Sequence, residues 1–168
     1  MNVHFKMTDK MRMQVIADLE RPHRFAAERL GFFRCRVSWA KSELLVLVSR
    51  YQPIPDEQYV NDTSAGCFFD ENTMRTMLQH SLTNHESIFH VHLHDHLGMP
   101  NFSRIDLRES AQYVPDFWHV TPDLPHGTLV LSRNKAAGLC WYPGSRKVFE
   151  IARITAVGPQ IRKLGKRP

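Results

Sequence analysis

Between Ser87 and His94 the sequence alternates, with Phe89, Val91 and Leu93 on one set of positions and His90, His92 and His94 on the other. A period of two belongs to a strand, whose successive side chains point to opposite faces. The segment therefore predicts one apolar face for a core and one face carrying three imidazoles in a row. His96 continues the spacing, so that four of the chain's ten histidines lie within seven positions.

Around this strand the periodicities predict an α+β domain. Thr8 and Asp9 can cap a helix with Met11, Val15, Ile16 and Leu19 on one face, and Pro22 should end it after Glu20. Aromatic and β-branched residues mark strands over 30–39 and 44–51, joined by a turn at 40–43. The stretch from Gln52 to Gly66, with Pro53, Pro55, Asp56, Asn61, Asp62 and Ser64, reads as a long surface loop or a strand with irregular ends. Asp70 can cap a second helix that packs Met74, Met77, Leu78 and Leu82 into the core and ends near Asn84. A third helix spans 104–113, before Pro115, and strands over 127–131, 138–142 and 148–157 close the domain, with Asn134 and Lys135 in a hairpin turn. That order of helices and strands fits a mixed sheet flanked by helices. His119 and His126, beside Pro122 and Pro125, read as turn residues, and His23 as a surface residue.

A chain of 168 residues, 42% hydrophobic and 23% charged, has the composition of one globular domain. No run of 18 apolar residues is present and residues 1–10 lack the apolar core of a signal peptide, so the expectation is a soluble cytoplasmic protein without a membrane partner. The three cysteines, Cys35, Cys67 and Cys140, form no CxxC pair, which favours reduced, mostly buried thiols over a disulfide framework or a thiolate zinc site. The net charge of +5 is unevenly spread: residues 51–145 hold 5 basic and 11 acidic groups, whereas 1–50 hold 10 and 5, and 146–168 hold 7 and 1. Basic ends can dock on nucleic acid, but no aromatic residues interleave with Arg162, Lys163, Lys166 and Arg167 as a stacking platform needs, and the acidic middle disfavours a phosphate substrate.

Two imidazoles at i and i+2 on a strand stand close enough to hold one metal ion, and a following loop can bring a third ligand, for which Asp106 is the candidate. Two nitrogens and a carboxylate make a three-ligand site with one position open, as in catalytic zinc. An open-site zinc lowers the pKa of its water to about 7. Ser103 and Asp106 also read as a capping box at the start of the third helix. The two roles are compatible, because a serine among free backbone N–H groups can polarise a carbonyl oxygen.

Together, His92-Leu-His94 and Ser103-Arg-Ile-Asp106 resemble the H-x-H and S-x-x-D signature of the JAMM metalloproteases, also called the MPN or JAB family. Glu28-Arg-Leu-Gly31, 64 residues before His92, is similar to the family's E-x-x-G segment. The stretch from Pro125 to Trp141 looks like the closing strands of bacterial members. The resemblance implies an MPN/JAB-type fold over residues 1–160, a mixed, curved β-sheet flanked by helices, followed by a basic tail at 161–168. It also implies one zinc ion per chain on His92, His94 and Asp106. Glu28 would act as general base on the zinc-bound water and as acid toward the leaving amine, with Ser103 holding the oxyanion.

Eight residues separate His94 from Ser103 and six separate His96 from it, either side of the family's usual loop length. His90/His92 and His94/His96 are therefore alternative pairs. His92/His94 is preferred because both lie on the strand alternation, although His94-Asp-His96-Leu-Gly98 is similar to the family's H-x-H-P-G run. The family's proline after the second histidine is replaced in either register, and Cys35 stands where many members have a second glycine.

The implied activity is deubiquitinase-like: an isopeptidase or peptidase that cuts after the C-terminus of ubiquitin or a ubiquitin-like modifier, in deconjugation or precursor processing. Bacterial relatives occur with E1-like and E2-like enzymes in conjugation systems, some of them antiphage. Two other classes remain open: a catalytically silent scaffold that binds conjugation-pathway partners, and a nucleic-acid-associated protein using its basic termini.

Overall fold

Val3, Phe5 and Met7 alternate with His4, Lys6 and Thr8, and in the computed structural model they form a first strand whose apolar side is at most 3% exposed. The structure describes residues 1–62, 66–143 and 147–165. In chain order the elements are β1 (Asn2–Thr8), α1 (Asp9–Leu19), β2 (Leu30–Ala40), β3 (Glu43–Pro53), β4 (Tyr59–Val60), β5 (Phe68–Phe69), α2 (Glu71–Asn84), β6 (Ser87–Leu93), α3 (Arg104–Tyr113), β7 (His126–Leu131), β8 (Ala136–Trp141), β9 (Val148–Val157) and β10 (Arg162–Lys163). Short 3-10 turns occupy Asp56–Gln58 and Val114–His119.

The main sheet runs β1-β3-β2-β6-β7-β8-β9, and β9 pairs again with β1, so seven strands close into a barrel. β10 adds to β9. β1 is parallel to both its neighbours and β6 is parallel to β7, while the remaining pairs are antiparallel. This corrects the expected α+β fold, an MPN-type mixed, curved sheet flanked by helices. The physical reason is the first strand, which the sequence reading left unassigned. Without it β3 and β9 are two free edges. With it they are joined, and closure is the arrangement that removes unpaired sheet edges altogether.

The barrel interior is filled by Phe5, Phe33, Phe89, Val91, Leu129 and Ile154 among others, with Val15 and Leu19 of α1 packed against them. Phe5 touches both Phe33 and Phe89, with ring centroids at 5.7 and 5.2 Å. A second apolar cluster lies outside the wall, where Phe32 of β2 and Ile88 of β6 meet Met77 of α2, Phe117 and Tyr59. β6 is therefore covered on both sides, and every one of its residues is buried. Phe89, Val91 and Leu93 face the barrel core, while the even-numbered positions face the outer layer of α2, α3 and the β4–β5 pair.

Other expectations need smaller corrections. The buried stripe of α2 is Thr73, Met77 and Ser81, and Leu82 is 58% exposed. β3 continues to Pro53, and the following stretch holds a 3-10 turn and the short strand β4, nearer to the irregular strand than to the loop of the two alternatives; Ser64 lies outside the described residues. The supposed tail begins inside the fold. Leu164 is buried and its N–H donates to the Ile154 carbonyl, whereas Lys166 and Arg167 lie outside the described residues. All three cysteines are free, with Cys35 and Cys140 buried. Among the described residues no helix is long and apolar enough to cross a membrane.

Candidate metal centre

The antiparallel register of β2 and β6 sets Leu30 opposite His92. Two residues further along, the same register places Glu28 across from His94, and their Oε1 and Nε2 atoms are 4.0 Å apart. Glu28 is held there from both sides. The Gly66 carbonyl accepts the N–H groups of Ala27 and Glu28 at 2.7 and 3.3 Å. On the other flank Arg29, its side chain 2% exposed, donates to the carbonyls of Arg21 and Pro22 and to Asp56, and the Leu30 N–H donates to the Tyr59 hydroxyl at 2.9 Å. Gly31, the glycine of the E-x-x-G segment, has a local role: a Cβ there would overlap the Tyr51 side chain, whose hydroxyl donates to Asp18 of α1 at 2.6 Å.

Beyond Leu93, the His94 N–H still donates to the Leu131 carbonyl at 2.9 Å, so the imidazole of His94 remains in line with that of His92, ring centroids 4.9 Å apart. The chain then turns away. Asp95 pairs with Arg133, the Arg133 N–H donates to the His96 carbonyl, and the Gly98 N–H donates to Asn134. These contacts tie the loop to the β7–β8 turn and leave His96 exposed, its ring 6.2 Å from that of His94. Gly98 has φ +96°, a conformation side chains rarely adopt.

Ser103 caps α3 through a reciprocal box: its Oγ accepts the Asp106 N–H at 3.1 Å, and its N–H donates to Asp106 Oδ2 at 2.6 Å. The same Oδ2 lies 3.6 Å from His92 Nε2. Burial alone would raise the Asp106 pKa, but His92 and the Ser103 cap outweigh it and hold the carboxyl well below the usual range. For His94, burial and then the neighbouring His92 lower the pKa, against the opposing pull of Glu28 and Asp106. A lowered pKa keeps this imidazole neutral and free to ligate.

Glu28, His92, His94, Ser103 and Asp106 thus line one cavity of about 450 Å³. Within it, ligand atoms of Glu28, His92 and His94 all lie within 4.8 Å of one another. Asp106 adjoins His92 but falls outside that trio. His92 is 2% exposed; its Nδ1 is buried without a hydrogen-bond partner, and its Nε2 has the Asp106 carboxylate at 3.6 Å, beyond hydrogen-bond length. A buried polar atom left unpaired costs roughly 1–3 kcal/mol, so such atoms call for an occupant. Two imidazoles with one or two carboxylates are the donors zinc takes in open sites. The residues fit a metal ion.

The sequence reading missed two further histidines of consequence. His126 is a core residue of β7 rather than a turn residue: its Nδ1 accepts the Ile88 N–H at 3.1 Å, and its other nitrogen meets Thr121. His23 accepts the Ala26 N–H at 3.2 Å and shapes the loop before Glu28. A buried partner is not visible in composition, and only flanking prolines suggested turns. No family model matches this chain, and no match to it was found among curated proteins.

Proposed function

We propose that this protein is a zinc-dependent peptidase or isopeptidase acting at the C-terminal tail of a ubiquitin-like protein. The observation that carries the metal is the cluster of Glu28, His92 and His94, whose ligand atoms lie within 4.8 Å of one another in a cavity shared with Asp106 and a capping serine. The reaction class rests on the resemblance of Glu28-x-x-Gly31, His92-x-His94 and Ser103-x-x-Asp106 to the JAMM signature. It draws on those residues and not on the fold.

In this reading His92, His94 and Asp106 hold the ion. Bound zinc supplies Lewis acidity and makes hydroxide available near neutral pH. Glu28, partly exposed beside His94, accepts a proton from the attacking water as its oxygen bonds to the scissile carbonyl carbon. When the carbon–nitrogen bond breaks, Glu28 returns that proton to the leaving amine. Ser103 accepts the Asp106 N–H, which leaves its own O–H free to donate to the carbonyl oxygen as negative charge grows there. The partners are the modifier or its conjugates, together with E1-like and E2-like enzymes.

One observation favours a second assignment of the carboxylates. Glu28, not Asp106, completes the closest trio of donor atoms, so Glu28 can itself be a ligand while Asp106 orients His92. Metal content decides between them. We expect about one zinc per wild-type chain, loss of zinc in Asp106→Ala, and retained zinc with lost cleavage of a ubiquitin-like fusion in Glu28→Ala. Zinc lost from Glu28→Ala and kept by Asp106→Ala reverses the two roles. A wild-type chain that takes up no zinc overturns the enzyme reading and leaves the silent-scaffold alternative.

A further inference from the structure

A second groove opens on the other side of Glu28 and runs along α1. It holds about 810 Å³, and the apolar side chains of Met13, Ile16, Ala17, Ala26 and Leu93 line it beside charged ones. Glu28 is the residue that its lining shares with the metal cavity, and Arg12 and Arg133 are shared with a smaller pocket of about 340 Å³ that Asn134, Arg162, Lys163 and Leu164 complete. The three form one path from the metal site to β10. Charge is graded along it. At the near end Glu20 and Glu28 line the groove, and the arginines there are already held, Arg21 by Asp18 and Arg29 by Asp56. At the far end four cations, Arg12, Arg133, Arg162 and Lys163, meet two carboxylates. Asp9 binds Arg12 at 2.8 Å and lies 3.6 Å from Arg162, and Asp95 binds Arg133. Lys163 is exposed and has no ion pair among the described residues.

This gradient selects among anionic partners. A nucleic acid carries a negative charge at every nucleotide and would set phosphates against Glu20 and Glu28. Nor does either lining include a Phe, Tyr or Trp among the described residues on which a base could stack. A polypeptide can place carboxylates at one end only, with neutral residues passing over the apolar stretch of α1. In the hydrolytic reading Glu28 returns the proton to the leaving amine, so a chain that passes from Glu28 into the α1 groove is the leaving one. From Glu20 to Arg12 the helix rises about 12 Å, a span that about four residues of extended chain cover. We infer that the α1 groove docks an acidic segment of the leaving polypeptide, whose carboxylates meet Arg162 and Lys163 about four residues beyond the cut bond. The assignment rests on the hydrolytic reading above and adds to it the chemical class of the chain that is released. Charge complementarity of this kind sets which partner is accepted more than how tightly it is held.

The test uses the purified full chain and reads binding without turnover. The probe is a fluorescein-labelled peptide, Lys-Gly-Ser-Gly-Ser-Glu-Asp-Glu-Asp, followed by fluorescence anisotropy beside its twin with Gln and Asn in place of Glu and Asp. We expect the acidic peptide to bind about tenfold more tightly than the amide twin, and its affinity to fall as sodium chloride is raised, because exposed charges are screened. Lys163→Glu should remove the preference. Ala17→Trp, at an exposed α1 position in the groove, should weaken the acidic peptide by a similar factor with Lys163 still in place. Both variants should keep zinc and the wild-type melt. Lys41→Glu makes the same change of charge on the exposed β2–β3 turn, at the start of β1, whereas β10 lies beside its end, and should leave binding unchanged. Equal binding of the two peptides overturns the docking groove, as does acidic-peptide binding that survives Lys163→Glu, or an equal loss in Lys41→Glu. A single-stranded DNA oligonucleotide that binds more tightly than the peptide and displaces it overturns the choice of a polypeptide. If the acidic peptide is selected through Lys163 but zinc and fusion cleavage are absent, the docking groove stands and the hydrolytic reading falls.

Discussion

His126 shows how a single side chain can couple this fold to pH. Burial pushes its pKa down to about 3, because a charged imidazole would lose its hydration inside the wall and its Nδ1 must stay unprotonated to accept the Ile88 N–H. The unfolded chain, near 6.5, binds the proton first. Between about pH 6.5 and 3 unfolding therefore takes up a proton, and stability falls as pH falls, by up to about 1.4 kcal/mol per pH unit from this group. His126→Gln is expected to be less stable at pH 7 by roughly 1–3 kcal/mol, yet to lose less further stability between pH 7 and 4. Denaturant titrations at the two pH values measure the difference, and equal losses in both proteins would refute the coupling. At this scale the histidine cluster was legible because alternation is local. The role of His126 was not, since its partners Ile88 and Thr121 are set by packing rather than by neighbours along the chain.

Among the elements, α3 carries two duties on one turn. Its cap satisfies helix N–H groups and also places a hydroxyl and a carboxylate beside His92 in the candidate metal site. Ser103→Ala should cost about 1 kcal/mol of stability and, if Ser103 holds the oxyanion, lower cleavage of a fusion substrate by roughly 10²–10³. Ser103→Asp separates the duties, since aspartate caps a helix but has no proton to donate. Its stability should recover while its turnover stays low; recovery of both would remove the oxyanion role. The sequence showed this capping box, and it showed β2, β3, β6 and the helices, because each is written in a short period. It could not show which carboxylate approaches both histidines. That follows from the β2–β6 register, which Leu30 and His92 fix and Glu28 inherits.

For the whole molecule, closure depends on the strand that was hardest to read. β1 has the alternation of a strand, yet its short run of Val3, Phe5 and Met7 carries no signal of where it pairs. Its partners are β3 and the far-distant β9. The sheet's edges, and therefore the fold class, were invisible until that pairing was known. Phe5→Ala removes the ring that bridges Phe33 and Phe89 and should destabilise the protein by about 3–5 kcal/mol. The half-buried opposite face gives a milder control: Lys6→Ala should shift stability by no more than about 1 kcal/mol. Equal effects in thermal melts would mean that β1 contributes little to the barrel.

The seam also orders events in time. Val3 meets Ile151 only after nearly the whole chain is available, and contacts so remote in sequence form slowly because the intervening loop must close first. During synthesis β1 can lie against β3 well before β9 exists. β6 sits on the opposite side of the ring from the β1–β9 seam, and its pairing partners β2 and β7 end at Leu131. The residues that gather around His92 can therefore assemble on one half of the wall while the last stave is still awaited, and slow closure leaves that half undisturbed.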